Sequence, residues 1–499
     1  MKKIFYPLLV IMISVLIGLF FSYRILQTPP GITVDEAAFG YNAVLLEKTL
    51  HDENGRFLPF FVMSINGADW RQPVSQYYIT AVFKIFGPSL LTLRLSTVAI
   101  LIFSTFLTFF WLQKILNKKS AIIGTVIFLT TPLVMIQTHM ALDNIFPIPF
   151  TLIWLICLWY YNKTKNLKYL LFAGISLGIN FYTYKAMRAT VPVWCVLTVI
   201  SFFTEIKSQY SKNKIRKFVN ESLFFSLGVF PFFAIIPVLE KKYPGAVFNS
   251  NGFNWSSVYD FLYPYISSFD LSFLFIKGDS TIFHSTGVHG MLLLASLPLF
   301  LIGIYQAFKK RGVWLFIIAV MFSTPLLFGF VNSVHRASRL MAFIPSFVAL
   351  STLGAATITE NKNKFFSKIF TVVFVLLFIF NYADFVNYYW YTYPKFARAS
   401  FMPSNEVAGA YEYLSKIAKK NNLTPHIEAG PRHSDGQTGN FLEAAYFDEP
   451  LILWQPDSHL PEKGIVMAKL EHQPNLKTVG DPIFGYYFFV NETESIINL

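Results

Sequence analysis

Apolar runs of membrane-spanning length dominate the first four-fifths of the chain, lying near residues 4–24, 91–113, 120–137, 147–161, 169–185, 189–204, 218–238, 291–308, 313–331, 340–357 and 369–390. A helix needs roughly 20 mainly apolar residues to cross the hydrocarbon, so the pattern predicts eleven transmembrane helices. The first run starts with Lys2 and Lys3 like a signal peptide, but it is long and has no small-residue cleavage site, which predicts a retained anchor. Between the first two runs, helical spacing of Phe39, Ala43 and Leu46 predicts a short amphipathic helix from residue 35, lying in the membrane interface. A polar turn at 51–56 and an aromatic helix over 74–86, closed by Gly87 and Pro88, follow it. The 239–290 loop, with Trp255, Tyr259, Tyr263, Asp270, Asp279, His284 and His289, predicts a cover with modest structure of its own.

The pattern changes near residue 391. From there it predicts a helix over 404–420, a strand at 426–428, a loop at 430–440, a helix at 440–446, strands at 451–454 and 464–467, and a hairpin around 484–490. The expected fold class is a polytopic α-helical membrane protein, with a membrane domain over 1–390 and a small α/β extracytoplasmic domain over 391–499.

Charge then orients the chain. Alternate loops hold nineteen Lys and Arg residues, among them Lys114, Lys118, Lys163, Lys165, Lys212, Arg216, Lys309 and Lys362. Basic loops stay in the cytoplasm, so the N-terminus is expected inside and the C-terminal domain outside, in a bacterial or archaeal cell membrane. The net charge of +13 suggests nucleic acid until it is divided: residues 1–390 hold 32 basic and 15 acidic residues, and 391–499 hold 9 and 13. The excess is topogenic, its counterion is anionic lipid, and no nucleic-acid partner is expected. Cys157 and Cys195 both fall inside apolar runs, which leaves no disulfide framework outside.

Candidate chemistry gathers in the outer loops. Asp35 and Glu36 follow Pro29-Pro30-Gly31, where an acid is either a reactive group or a helix-start acid facing the dipole. Asp143 stands in a short loop, and two outward carboxylates suit acid/base work or a divalent metal. Arg71, Lys185, Arg188, Arg336 and Arg339 run against the topogenic bias and together suit a phosphate or pyrophosphate, which guanidinium groups bind bidentately. His51, His139, His284, His289 and His335 lack zinc-site spacing.

Pro-Pro-Gly-x-x-x-Asp35-Glu36-Ala-Ala-Phe-Gly-Tyr-Asn, then Asn54-Gly-Arg56 and Arg71-x-Pro73, resembles the ArnT-like and protein-mannosyltransferase group, glycosyltransferase family 39 of GT-C fold. His139-x-x-x-Asp143-Asn144, Tyr182-x-Tyr184-x-x-x-Arg188 and His335-Arg336-x-x-Arg339 extend the similarity over about residues 1–400. The resemblance implies transfer of a sugar from a polyprenyl-phosphate donor to a lipid, protein or glycan acceptor outside the membrane. It places the first-loop acid at Asp35, the second-loop acid at Asp143 and the phosphate-binding base of a Lys/His-Pro-Pro-Leu motif at Arg71, where Gln72 and Val74 depart from the pattern. Asp35 is then expected to be the base of a single, inverting displacement, Glu36 to support it or to cap the helix, and Arg188, Arg336 and Arg339 to hold phosphate with Arg71. A transporter or flippase is the main rival class, followed by a cell-wall glycan polymerase or ligase. Span interiors nearly free of charge favour interfacial chemistry over transport.

Overall fold

The computed structural model describes residues 2–207, 214–248, 256–331, 334–360, 363–401, 403–456, 458–469 and 476–491. Lys212, Trp255 and Lys362, named above, lie outside these residues. In chain order the first elements are α1 (Lys2–Ser22), α2 (Val34–Thr49), β1 (Val62–Ser64), β2 (Asp69–Arg71), α3 (Pro73–Phe86), α4 (Leu90–Ile115), α5 (Lys118–Leu129), α6 (Pro132–Thr138), α7 (Pro147–Thr164) and α8 (Lys168–Phe181). Then come α9 (Met187–Lys207), α10 (Lys214–Ala234), α11 (Ile236–Lys242), α12 (Val258–Ser267), α13 (Leu297–Lys310), α14 (Val313–Ser323), α15 (Leu326–Phe330), α16 (Ile344–Thr359), α17 (Lys364–Asn387) and α18 (Tyr393–Ala397). The chain ends in α19 (Glu406–Asn421), β3 (Thr424–Glu428), α20 (Ala429–Tyr446), β4 (Ile452–Trp454), β5 (Gly464–Ala468), β6 (Leu476–Thr478) and β7 (Tyr487–Asn491).

Each of the eleven apolar runs is helical, but the expected span count is only partly met. Among the described residues, six helices are long and apolar enough to cross a membrane, or seven if α5 and α6 form one span bent by 58°. The bend falls where Pro132 opens α6, as a residue without a backbone N–H requires. Leu8–Ser22, α8 and the 187–203 part of α9 are apolar but shorter.

The chain divides into two compact units, one of Met1–Tyr23, Gln72–Ser75 and Thr97–Tyr389, the other of Arg24–Arg71, Gln76–Ser96 and Trp390–Leu499. In the first, α16 is the central helix, with Ile344 to Ala356 buried without interruption. It meets α13 where Gly303 and Gly354 oppose each other, and a Cβ on Gly303 would stand 1.8 Å from the Leu350 carbonyl oxygen. Small residues permit this approach where lipid offers no hydrophobic drive to association.

In the second unit, β4-β3-β5-β7-β6 form one sheet. β3 runs parallel to β4 and β5, while β7 is antiparallel to β5 and β6. Trp454, Leu460, Val466, Ala468 and Phe489 make a core on it. The expected α/β architecture is present, with two differences. The 484–490 hairpin is β7 returning against β6, a strand the sequence pattern did not reveal, and the 430–440 loop belongs to α20, kinked at Gly436 (φ 50°). α2 packs on α20 with the Phe441 ring against Gly40, and Lys48 donates to the Ala444 and Phe447 carbonyls at 2.9 Å each.

The glycine contact yields a test. Gly303→Ala forces α13 and α16 apart and lowers stability by about 1–3 kcal/mol, the usual cost of overpacking, read as a fall in thermal midpoint of the detergent-solubilised protein.

Candidate active site

Thr33 caps α2 by accepting the Glu36 N–H at 3.1 Å, the first half of a capping box. The Glu36 side chain turns inward to Arg94 on the first turns of α4. Arg94 Nε donates to Glu36 Oε1 at 2.8 Å and Nη2 to Oε2 at 3.0 Å, with both side chains fully buried. The same guanidinium donates to the carbonyls of Ile25 and Gly31 at 2.8 Å and to Asn405 Oδ1 at 3.1 Å. Asn405 Nδ2 in turn donates to the Leu26 carbonyl at 3.0 Å and the Pro29 carbonyl at 2.6 Å. Backbone pairing completes the clamp, with Ile32 N–H on the Pro403 carbonyl and Asn405 N–H on that of Pro30, both at 3.2 Å.

Glu36 is therefore a buried acid that supports the loop, paired with an arginine at the start of an apolar run. Arg94 and Asn405 are the residues that sequence reasoning missed. An arginine inside an apolar run was the available signal for the first; nothing local marks the second.

Asp35, one position earlier, points away and is 55% exposed. Its Oδ1 accepts from Arg71 Nη2 at 2.8 Å. Arg71, only 4% exposed, also donates Nε to Ser64 Oγ at 2.7 Å, lies 3.5 Å from Asp69 Oδ2 and caps the Phe39 ring at 4.9 Å. The β1–β2 ribbon aims it, since Arg71 and Val62 are paired across the two strands. So the expected phosphate ligand is shared between two carboxylates, Asp35 and Asp69. Nearby, burial pushes the Glu53 carboxyl up from its ordinary range, opposed by hydrogen bonds from Gln437 and Asn42 and by the Arg71 charge.

The other candidates belong to the first unit. Asp143 opens a single 3-10 turn, and its neighbour Asn144 donates to Gln137 Oε1 at 2.9 Å, which in turn contacts the His284 ring. Tyr184, in the break between α8 and α9, bonds the Ser338 and Arg339 side chains and lies in the fields of Asp143 and Arg339. Burial pushes its phenol up to about 12, the arginine acting against it. Asp143, Tyr184 and Arg339 thus converge. Arg339 Nη1 is buried with no hydrogen-bond partner among the described residues. Arg188 is held by the Val247 carbonyl at 3.0 Å and by Gln72 Oε1. Arg336 stands at the start of a 3-10 segment, Ala337–Phe343, whose first N–H is held at 2.6 Å by buried Asp279. Among the described residues no three His, Cys, Asp or Glu side chains group as a metal site.

Residues 71–231 match the family model described as dolichyl-phosphate-mannose-protein mannosyltransferase. The chain has a GT-C fold. Its fold is similar to that of ArnT from Cupriavidus metallidurans bound to undecaprenyl phosphate, with a TM-score of 0.52 and 11% identity over 97% of this chain and 98% of that one. The apo state of the same protein gives 0.51 and 12%, covering 98% of each chain. An oligosaccharyltransferase of Archaeoglobus fulgidus gives 0.51 and 12%, over 88% of this chain and 63% of that chain. No curated protein matches by sequence. The resemblance to the ArnT-like and protein-mannosyltransferase group thus holds in sequence over 71–231 and in fold along the chain.

Two outcomes follow from this arrangement. Arg94→Met strands the buried Glu36 carboxylate and lowers stability by about 3–5 kcal/mol in thermal or denaturant unfolding. The folded state also keeps Glu53 protonated to higher pH than the unfolded chain, so it binds more protons there and loses stability as pH rises from the ordinary 4.5 through the raised value. Glu53→Gln removes that loss, so a melting series from pH 4 upward flattens at its acidic end.

Proposed function

We propose that this protein is a glycosyltransferase that moves a sugar from a polyprenyl-phosphate carrier to a cell-envelope lipid, protein or glycan on the outer membrane face. The N-terminus is inside, as the nineteen loop cations require, and the C-terminal domain outside. The observation that carries the reading is the exposed Asp35 carboxylate, fixed at the start of α2 by a buried arginine in a chain with this family match. The undecaprenyl phosphate bound by the similar ArnT supports the carrier class.

The reaction is a single displacement. The acceptor hydroxyl or amine attacks the anomeric carbon, its proton passes to the open oxygen of Asp35, and the carbon–oxygen pair leaves with the carrier phosphate, inverting the centre. Phosphate is already a good leaving group, so the protein supplies a base and cations for the growing charge instead of a general acid. Arg71 orients Asp35 and neutralises its neighbourhood. In the membrane unit, the unsatisfied Nη1 of Arg339 is a ready phosphate ligand, with Arg188 and Arg336 beside it in role. Asp143 orients the acceptor or a divalent cation.

Purified protein given radiolabelled polyprenyl-phosphate hexoses and membranes of its host releases free polyprenyl phosphate as label enters the envelope fraction. Arg339→Met raises the donor KM by about tenfold or more, as loss of a charged hydrogen bond predicts. Consumption of pyrophosphate-linked donors alone, or passage of the labelled lipid across proteoliposomes without covalent transfer, overturns the proposal.

A further inference from the structure

The 3-10 segment Ala337–Phe343 and the residue that opens it carry two of the arginines given a phosphate-binding role above. The Arg339 N–H is held by the Arg336 carbonyl at 3.2 Å. Residues three apart eclipse in a 3-10 turn, so Arg336 and Arg339 leave the same side of the segment. Tyr184 bonds the Ser338 and Arg339 side chains from the break between α8 and α9. The segment runs straight into α16, buried from Ile344 to Ala356, so its far end is fixed by packing and its start decides where the arginines stand.

Residues 270–290 grip that start at two points. His335, in the left-handed conformation (φ 51°), stacks on the Phe273 ring at 4.9 Å, and its Nε2 lies 3.5 Å from Asp270 Oδ2. Two positions on, the buried Ala337 N–H donates to Asp279 Oδ2 at 2.6 Å. Asp279 Oδ1 accepts from the Thr281 N–H and hydroxyl at 2.7 Å each, so the carboxylate, 4% exposed, cannot turn without losing all three bonds. The loop that carries it is closed on itself: a Cβ on Gly278 would lie 2.3 Å from Ser285 Oγ, and one on Gly290 would lie 2.2 Å from the Phe275 carbonyl carbon. His284 of the same loop contacts Gln137, which accepts from Asn144 beside Asp143. One loop therefore reaches both the Asp143 turn and the arginine segment.

We infer that Asp279 is a positioning residue for phosphate binding: its carboxylate fixes the start of the 337–343 segment and so sets where Arg336 and Arg339 present their guanidinium groups. The inference rests on the proposed function, in which those arginines meet the carrier phosphate. Guanidinium–phosphate bonds are directional, and a displacement of about an ångström is enough to weaken them severely. Without Asp279 the buried Ala337 N–H has lost its acceptor, a cost the segment can relieve only by shifting, and Arg339 shifts with it.

Equilibrium binding of radiolabelled undecaprenyl phosphate to the full chain in detergent tests this without any transfer step. Asp279→Ala weakens binding by about tenfold, as loss of a charged hydrogen bond predicts. Asp279→Asn, which keeps the size of the side chain and one acceptor oxygen, weakens it less. In an Arg339→Met background, Asp279→Ala costs less than it does in wild type, because the arginine it would misplace is already gone. A carboxylate that served stability alone would cost the same in both backgrounds. If Asp279→Ala does not purify, Asp279→Asn taken through the same pair of backgrounds supplies the comparison. Wild type that binds no undecaprenyl phosphate overturns the proposed function and this inference with it. Wild-type binding that the Asp279 variants leave unchanged, or weaken equally with and without Arg339, overturns the inference alone.

Discussion

A single buried guanidinium organises the outer loop. Desolvating Arg94 is expensive, and the expense is met only because a carboxylate, two carbonyls and an amide oxygen surround it. Each partner is also constrained by the arrangement. The carbonyls of Ile25 and Gly31 belong to a proline-rich stretch that forms no regular ladder, so Arg94 supplies donors that secondary structure cannot. Segment 403–405 adds its own bonds to the same stretch, and a Cβ on Gly31 would lie 2.4 Å from the Phe401 carbonyl oxygen. Residues nearly four hundred positions apart therefore fold as one piece.

That clamp separates two acids the sequence presents as equals. Successive residues on a helix project about 100° apart, so fixing Glu36 inward on Arg94 obliges Asp35 to face outward. There Arg71 takes one of its oxygens and leaves the side chain more than half exposed. The neighbours are thus divided: Glu36 sustains the loop, and Asp35, the proposed base, is presented by it.

Much of this was legible beforehand, for definite reasons. Apolar periodicity marked the helices, the shift in charge balance marked the C-terminal segment, and Pro29-Pro30-Gly31 marked the break before α2. Periodicity could not tell a helix of spanning length from a shorter buried one, which is why eleven runs yield six or seven candidate spans. It also could not assign Glu36, because the partner that decides its role is 58 positions away inside an apolar run. Asn405 sits among ordinary surface-helix residues, and β6 is too short to show alternation. Arg71 is expected to meet phosphate from its place in a motif, and the motif gave no sign of its bonds to Asp35, Ser64 and Asp69, which come from the pairing of β1 with β2.

The account stands on Asp35 as the group that takes the acceptor proton. Its most direct test is the turnover of Asp35→Asn with a polyprenyl-phosphate-linked sugar, in protein whose thermal midpoint matches wild type. Loss of a positioned general base predicts a fall in kcat of about 10²- to 10⁴-fold with little change in donor KM. Full turnover in a folded Asp35→Asn protein would contradict the account.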